Sequence, residues 1–202
     1  MSNNRIALYL GNEIYPSAKY NPASTITTLH ESPLTSAILC LLNHDTTNNT
    51  LVYNDPSNPM YSASGDYIGP KDFPAVCSSL RGGSINEIYM SFSTSGTEFL
   101  KKIGTTAASR IFDHLKSIFK VDGIDLDYEG DELWASGSDF SKNGAVYFAT
   151  DRIVYAGLNS TAAPYCCAGK WQSWVDHVQG MGGTVPWLNL QCYSGGAGND
   201  PN

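Results

Sequence analysis

Three carboxylic acids recur at every second position in the segment Asp122-Gly123-Ile124-Asp125-Leu126-Asp127-Tyr128-Glu129. On a β-strand, residues i, i+2 and i+4 share one face. Asp125, Asp127 and Glu129 would therefore line one side, and Ile124, Leu126 and Tyr128 the other. Aligned carboxylates repel one another and are costly to remove from water, so a scaffold that gathers three of them points to acid–base chemistry. A solvated edge strand with outward acids is the plain alternative. The apolar neighbours and the helical pattern just before the segment favour an internal strand.

The elements that must position these acids follow from periodicity. Apolar runs at 6–11, 37–42, 87–93, 121–129, 156–164 and 187–193 read as six strands. Helical spacing marks 72–80, 105–119, 146–153 and 170–178. Ile111, Phe112, Leu115, Ile118 and Phe119 form the apolar stripe of the second of these; Trp171, Trp174, Val175 and Val178 form that of the last. Segment 51–69 is rich in Asn, Asp, Pro, Ser, Tyr and Gly and reads as loop, as do 44–49 and 132–141. Single strands separated by helices imply an α/β domain with a parallel sheet. The acids end the fourth strand, at the carboxyl side where both barrels and doubly wound sheets build sites. Gly11-Asn12-Glu13 after the first strand is neither a dinucleotide-binding turn nor a P-loop, which disfavours nucleotides.

The 202 residues suffice for one domain with a core. A net charge of -7 disfavours nucleic acid and anionic membranes as partners and suits a neutral or cationic substrate. Charged residues make up only 15%, leaving a surface that is polar without being ionic. No apolar run is long enough to span a bilayer, and residues 6–10 are too short for the core of a signal peptide. The five cysteines, Cys40, Cys77, Cys166, Cys167 and Cys192, cannot all pair within the chain and have no zinc-site spacing. Cys40 and Cys192 read as buried thiols, and adjacent Cys166 and Cys167 as a place where one could find a partner. His30, His44, His114 and His177 are dispersed, without the pattern of a hydrolase triad.

On these residues the chain resembles glycoside hydrolase family 18, the chitinase family. The family signature DxxDxDxE stands complete as Asp122, Asp125, Asp127 and Glu129. Residues 87–93 are similar to the family's third strand, with Ser91-Phe92-Ser93-Thr94 in place of its usual SxGG. Residues 158–166 and Leu190-Gln191-Cys192-Tyr193-Ser194 resemble the fifth and sixth strands of the hevamine-like branch. The resemblance implies an α/β fold of the (β/α)8 TIM-barrel type and a single catalytic domain over 1–202. That barrel has eight strands, and about six are visible before Asn202. The expectation is a barrel truncated at its C-terminus, without the aromatic that floors the sugar site. Its open edges would expose apolar surface and allow self-association.

The resemblance also implies roles. Glu129 would be the general acid on the glycosidic oxygen. Asp127 would accept the N–H of the substrate's acetamido group, Asp125 would share a proton with Asp127, and Tyr193 would donate to the acetamido oxygen as it attacks. Gln191 would hold the same group. Tyr9, Ser91 and Trp134 would line the sugar, Trp134 by stacking on a ring. The reaction would be retaining, substrate-assisted cleavage of β-1,4-linked N-acetylglucosamine in chitin or chitooligosaccharides, with no metal and no cofactor. An endo-β-N-acetylglucosaminidase acting on N-glycans shares the same acids. A non-catalytic sugar-binding relative is the alternative of another class, against which the intact Glu129 counts. A Mg²⁺ site at the acids lacks an accompanying phosphate-binding feature. The plain reading of Ser91 is a barrel-lining residue, and that of Tyr193 an interfacial core residue.

Overall fold

The structure is a computed structural model that describes residues 5–17 and 20–191. Cys192 and Tyr193 lie outside the described residues. The chain runs β1 (Ala7–Leu10), a 3-10 turn (Asn12–Ile14), α1 (Pro22–His30), β2 (Ser36–Asp45), β3 (Thr50–Tyr53), β4 (Pro59–Tyr61), α2 (Phe73–Ser79) and β5 (Glu87–Ser93). It continues through α3 (Thr94–His114), a π-helical turn (Leu115–Phe119), β6 (Gly123–Asp127), a second 3-10 turn (Asp131–Leu133), α4 (Ala145–Tyr155), β7 (Asn159–Ala162) and α5 (Ala168–Gly180).

Strands β1, β2, β5, β6 and β7 lie side by side in that order, all parallel. Alternation sorts their side chains. Ile88, Met90 and Phe92 of β5 and Ile124 and Leu126 of β6 are fully buried on the outward face, in one core with Ile111, Phe112 and Leu115 of α3 and its following turn and Val146, Ala149 and Ile153 of α4. Tyr89, Ser91, Asp125 and Thr161 occupy the inner face. Register aligns Ser91, Asp125 and Thr161 across β5, β6 and β7, so one inner layer of the barrel is polar.

The segment after α5 takes the sixth position without forming a regular ladder. Ser160 donates its N–H to the Thr184 carbonyl at 2.9 Å, Asn189 to Ala162 at 2.8 Å and Gln191 to Pro164 at 2.9 Å. Pro164 has no N–H to return, so the pairing past the end of β7 is one-sided. The expected strand over 187–193 is thus, across 187–191, an extended segment. The sheet curls far enough for its ends to meet below the site. The Arg5 guanidinium lies 3.8 Å over the Trp187 ring and also bonds both Glu87 carboxylate oxygens at 2.9 Å. Trp187 meets Tyr89 edge-on at 4.5 Å. The Tyr89 ring crosses directly over Gly123, where a β-carbon would collide with it and with the Asn159 carbonyl. Above this contact Ile6, Leu8 and Leu190 remain exposed at 44%, 40% and 61%.

Three local expectations change. Segment 51–69 is not all loop: β2 continues past the parallel sheet and folds back as an antiparallel hairpin with β3, which pairs with β4. Its polar composition masks Leu51, Val52, Tyr53, Met60 and Tyr61, all essentially buried. Loop 44–49 correspondingly shortens to a turn, in which Asp45 accepts from the Thr47 N–H at 2.9 Å and the Asn48 amide at 2.7 Å. Helix α3 begins eleven residues before position 105, because the Ser93 hydroxyl caps it by accepting the Gly96 N–H at 3.1 Å. Gly104, at φ 80°, breaks it into two arms. The wider π-helical turn at its end rotates the stripe, leaving Ile118 49% exposed while Phe119 stays buried. Trp171 and Trp174 are buried, as their spacing suggests. No helix among the described residues is long and apolar enough to cross a membrane.

Candidate active site

The three acids emerge from β6 in order of depth. Asp125 is fully buried, Asp127 is partly buried, and Glu129, two residues past the end of the strand, is exposed. Asp122, at the other end, is not part of the cleft. It accepts the Ile88 N–H at 2.8 Å and pairs with Arg81 at 2.7 Å, tying β6 to β5 from below.

Four donors surround Asp125. Oδ2 accepts from the Tyr9 hydroxyl at 3.1 Å and Ser91 Oγ at 2.8 Å; Oδ1 accepts from Thr161 Oγ1 at 2.8 Å and Asn189 Nδ2 at 3.4 Å. Each donor comes from a different element, so β1, β5, β7 and the segment after α5 converge on one carboxyl. Burial raises the Asp125 pKa, the four hydrogen bonds oppose it, and burial prevails. Tyr9 is held protonated, well above a normal phenol, first by burial and then by the Asp125 charge, so it remains a donor.

Asp127 sits one step outward. Its carboxyl is pushed up to about 6, first by burial and then by the charges of Asp125 and Glu129. Gln191 joins the outer two acids: its Nε2 lies 3.0 Å from Asp127 Oδ1, 3.1 Å from Glu129 Oε1 and 3.0 Å from the Ala163 carbonyl. The Glu129 backbone is anchored where its N–H donates to Thr94 Oγ1 at 2.7 Å, at the start of α3. Cys40 faces the same interior. Its thiol is pushed up to about 12 by burial and by the charges of Glu13, Asp127 and Asp125, and it is partly rather than fully buried.

Of the residues expected at the site, Asp125, Asp127, Glu129, Gln191, Tyr9 and Ser91 come together. Trp134 stands apart on the rim, 62% exposed, with its ring against Tyr165 at 5.9 Å. Tyr165 lies three residues past the carboxyl end of β7, the end at which Glu129 leaves the neighbouring parallel β6, so this aromatic pair stands on the cleft side of the sheet. Tyr193 is outside the described residues. Thr161, Asn189, Thr94 and Tyr165 were not singled out from sequence. Thr161 could have been found by registering β7 on β6, and Asn189 from its place two residues before Gln191 on the expected strand.

Chemically, the site offers a buried carboxyl saturated with donors, a second carboxyl with a raised pKa, and a third open to solvent. Donors fill the Asp125 oxygens, which suits proton handling and leaves them unavailable to a cation. No group of three or more His, Cys, Asp or Glu among the described residues is arranged to hold a metal ion.

No protein-family model matches the chain, and no curated protein sequence matches it. Solved structures do. A GH18 chitinase from Pseudoalteromonas aurantia superposes with a TM-score of 0.60 at 15% identity, covering 98% of this chain and 70% of that one. A fungal endo-β-N-acetylglucosaminidase from glycosyl hydrolase family 18 superposes with a TM-score of 0.60 at 17% identity, covering 96% of this chain and 68% of that one. At this identity the likeness is one of fold: the chain has the α/β barrel architecture of these two enzymes, incomplete over the residues described here.

Proposed function

We propose that the chain is a glycosidase of the chitinase family, in its hevamine-like branch, that cleaves β-1,4-linked N-acetylglucosamine with retention. The observation that carries this reading is the Gln191 amide set between Asp127 and Glu129, with Asp125 enclosed behind them. Glu129, exposed at the cleft mouth, is the group placed to reach a glycosidic oxygen and protonate it. Asp127, largely ionised near neutral pH yet close to its pKa, suits the acetamido N–H as an acceptor. Holding that N–H aims the acetamido oxygen at the anomeric carbon, where it displaces the leaving group and forms an oxazolinium ion. The negative charge of Asp127 beside the ring stabilises the ion. Water, deprotonated by Glu129, then opens it from the face that the leaving group left, so the β configuration is retained. Gln191 fixes the two acids relative to each other, and Tyr193 is assigned the donor to the acetamido oxygen. Trp134 and Tyr165 supply an aromatic rim for a further sugar. The chain is read as one catalytic unit, and the exposed Ile6, Leu8 and Leu190 are read as a surface for self-association.

A second substrate class, the N-glycan core, is supported by the equal likeness to the fungal endo-enzyme. The test is product release from N-acetylchitotetraose and from a high-mannose glycopeptide, beside Glu129→Gln, with circular dichroism confirming that both proteins are folded. Turnover of one substrate that is lost in the variant supports the reading and chooses the class. A folded wild-type chain that releases nothing from either, yet binds them, overturns it in favour of a sugar-binding protein.

A further inference from the structure

The loop after β7 carries Tyr165, Cys166 and Cys167 into the start of α5. The two sulfurs lie 2.9 Å apart, and both residues are partly exposed. Cys167 is left-handed, at φ 60° and ψ 47°, a conformation that residues with a β-carbon adopt at a cost and that recurs where strain serves a function. Cys167 Sγ also donates to the Leu133 carbonyl at 3.4 Å. Leu133 directly precedes Trp134, the ring that meets Tyr165 at the cleft mouth. The same loop is held from below by Lys170, whose ammonium donates to the Glu132 and Ala135 carbonyls at 2.6 and 3.0 Å. The thiol pair is therefore wired at one end to the residue before Trp134 and at the other to Tyr165.

We propose that Cys166 and Cys167 form a redox modification site, a vicinal dithiol that closes to a disulfide and thereby loosens the Leu133–Trp134 step at the mouth of the acid cleft, while Lys170 keeps its hold on either side of it. The oxidant is a small-molecule disulfide of the oxidised glutathione class. One cysteine thiolate attacks a sulfur of the reagent and expels the first reagent thiolate. The second cysteine thiolate attacks the mixed disulfide at the protein sulfur and expels the second. The two cysteines lose two electrons and two protons, and the reagent leaves as two thiols. Burial holds the Cys166 thiol up at about 11, so closure quickens as pH rises. Neighbouring Cα atoms stand ~3.8 Å apart, below the ~4.4–6.8 Å usual for disulfides, so the bridge is readily reduced again and acts as a switch rather than a structural link. Once closed, Cys167 has no S–H for the Leu133 carbonyl, and Trp134 loses that tether. Bridge formation does not depend on the glycosidase reading; only its effect on sugar handling does.

The test uses the full chain in glutathione buffers of increasing oxidation, with alkylation and peptide mapping, and with acrylamide quenching of tryptophan fluorescence. The expected result is a peptide spanning 166–167 that loses the mass of two hydrogens, escapes alkylation and recovers on reduction. Quenching rises in parallel, and this rise is missing in Cys167→Ser and in Trp134→Phe. The proposal is overturned if both thiols alkylate in the oxidising buffers. It is equally overturned if they end as glutathione adducts or as bridges to Cys40, Cys77 or Cys192, or if closure leaves quenching unchanged. None of these readouts uses turnover, so failure of the glycosidase reading would be seen separately.

Discussion

Gln191 Nε2 lies 3.0 Å from Asp127 Oδ1, and the same nitrogen reaches Glu129 at 3.1 Å. One neutral amide thus bridges two acids that would otherwise repel, and fixes the distance between the group assigned to the acetamido N–H and the group assigned to the leaving oxygen. Gln191→Ala removes the hydrogen bond to the Asp127 carboxylate, worth about 1.5–3 kcal/mol, so turnover should fall about ten- to hundredfold. The check is kcat and KM on the substrate that the wild type cleaves. The effect should fall mainly on kcat; a change confined to KM would reduce Gln191 to a binding contact.

Asp127 links the site to stability. Its folded pKa of about 6 lies above the value of 3.8 for an unperturbed Asp. The folded state therefore binds the proton more tightly than the unfolded state, so the stability tied to this group is present in full below about pH 4 and is lost as pH rises through about 6. Asp127→Asn abolishes that loss. The variant should be more stable than wild type at neutral pH by about 1–2 kcal/mol, after allowance for screening at a partly exposed site, and the gap should close in acid. Urea titrations at a series of pH values measure this. Equal stabilities at neutral pH would show that Asp127 carries no strain.

Asp125 should set the Asp127 titration in part. Asn at 125 removes one of the two charges that raise Asp127, so the Asp127 pKa should move down from about 6 while burial keeps it above normal. Carbon-13 NMR titration of the Asp side chains reads the shift directly. An unmoved Asp127 would leave burial as its sole cause.

The polar layer around Asp125 was only half legible in the sequence. The alternation of acids and apolar residues on β6, and the alternation on β5, follow from a period of two and translate directly into inner and outer faces. Ser91 meets Asp125 for that reason. Asn189 fits the same period, two residues before Gln191; what stays hidden is that its segment, held by single hydrogen bonds opposite Pro164, forms no regular strand. The β2–β3–β4 hairpin was hidden by Asn, Asp, Ser and Pro at its turns. The graded depth of the three acids follows from the opening expected at the carboxyl end of their strand, with Glu129 nearest solvent and Asp125 deepest.

The inner packing below the acids gives a stability prediction. Gly123→Ala places a methyl group against the Tyr89 ring and the Asn159 carbonyl, both set by neighbouring strands. Overpacking of this kind costs about 1–3 kcal/mol. Chemical denaturation should show that loss, and pairing with Tyr89→Leu should recover part of it. Additive losses in the double variant would place the clash elsewhere.

The central claim is that the substrate's own acetamido group is the nucleophile, held by Asp127 while Glu129 supplies the proton. The most direct measurement is proton NMR of N-acetylchitotetraose during the first turnovers, following the anomeric configuration of the new reducing end. The β-anomer should appear first and then mutarotate, the tetramer lacking N-acetyl groups should remain intact, and Glu129→Gln should release nothing. An α-anomer appearing first, or equal cleavage of the de-N-acetylated tetramer, would contradict the account.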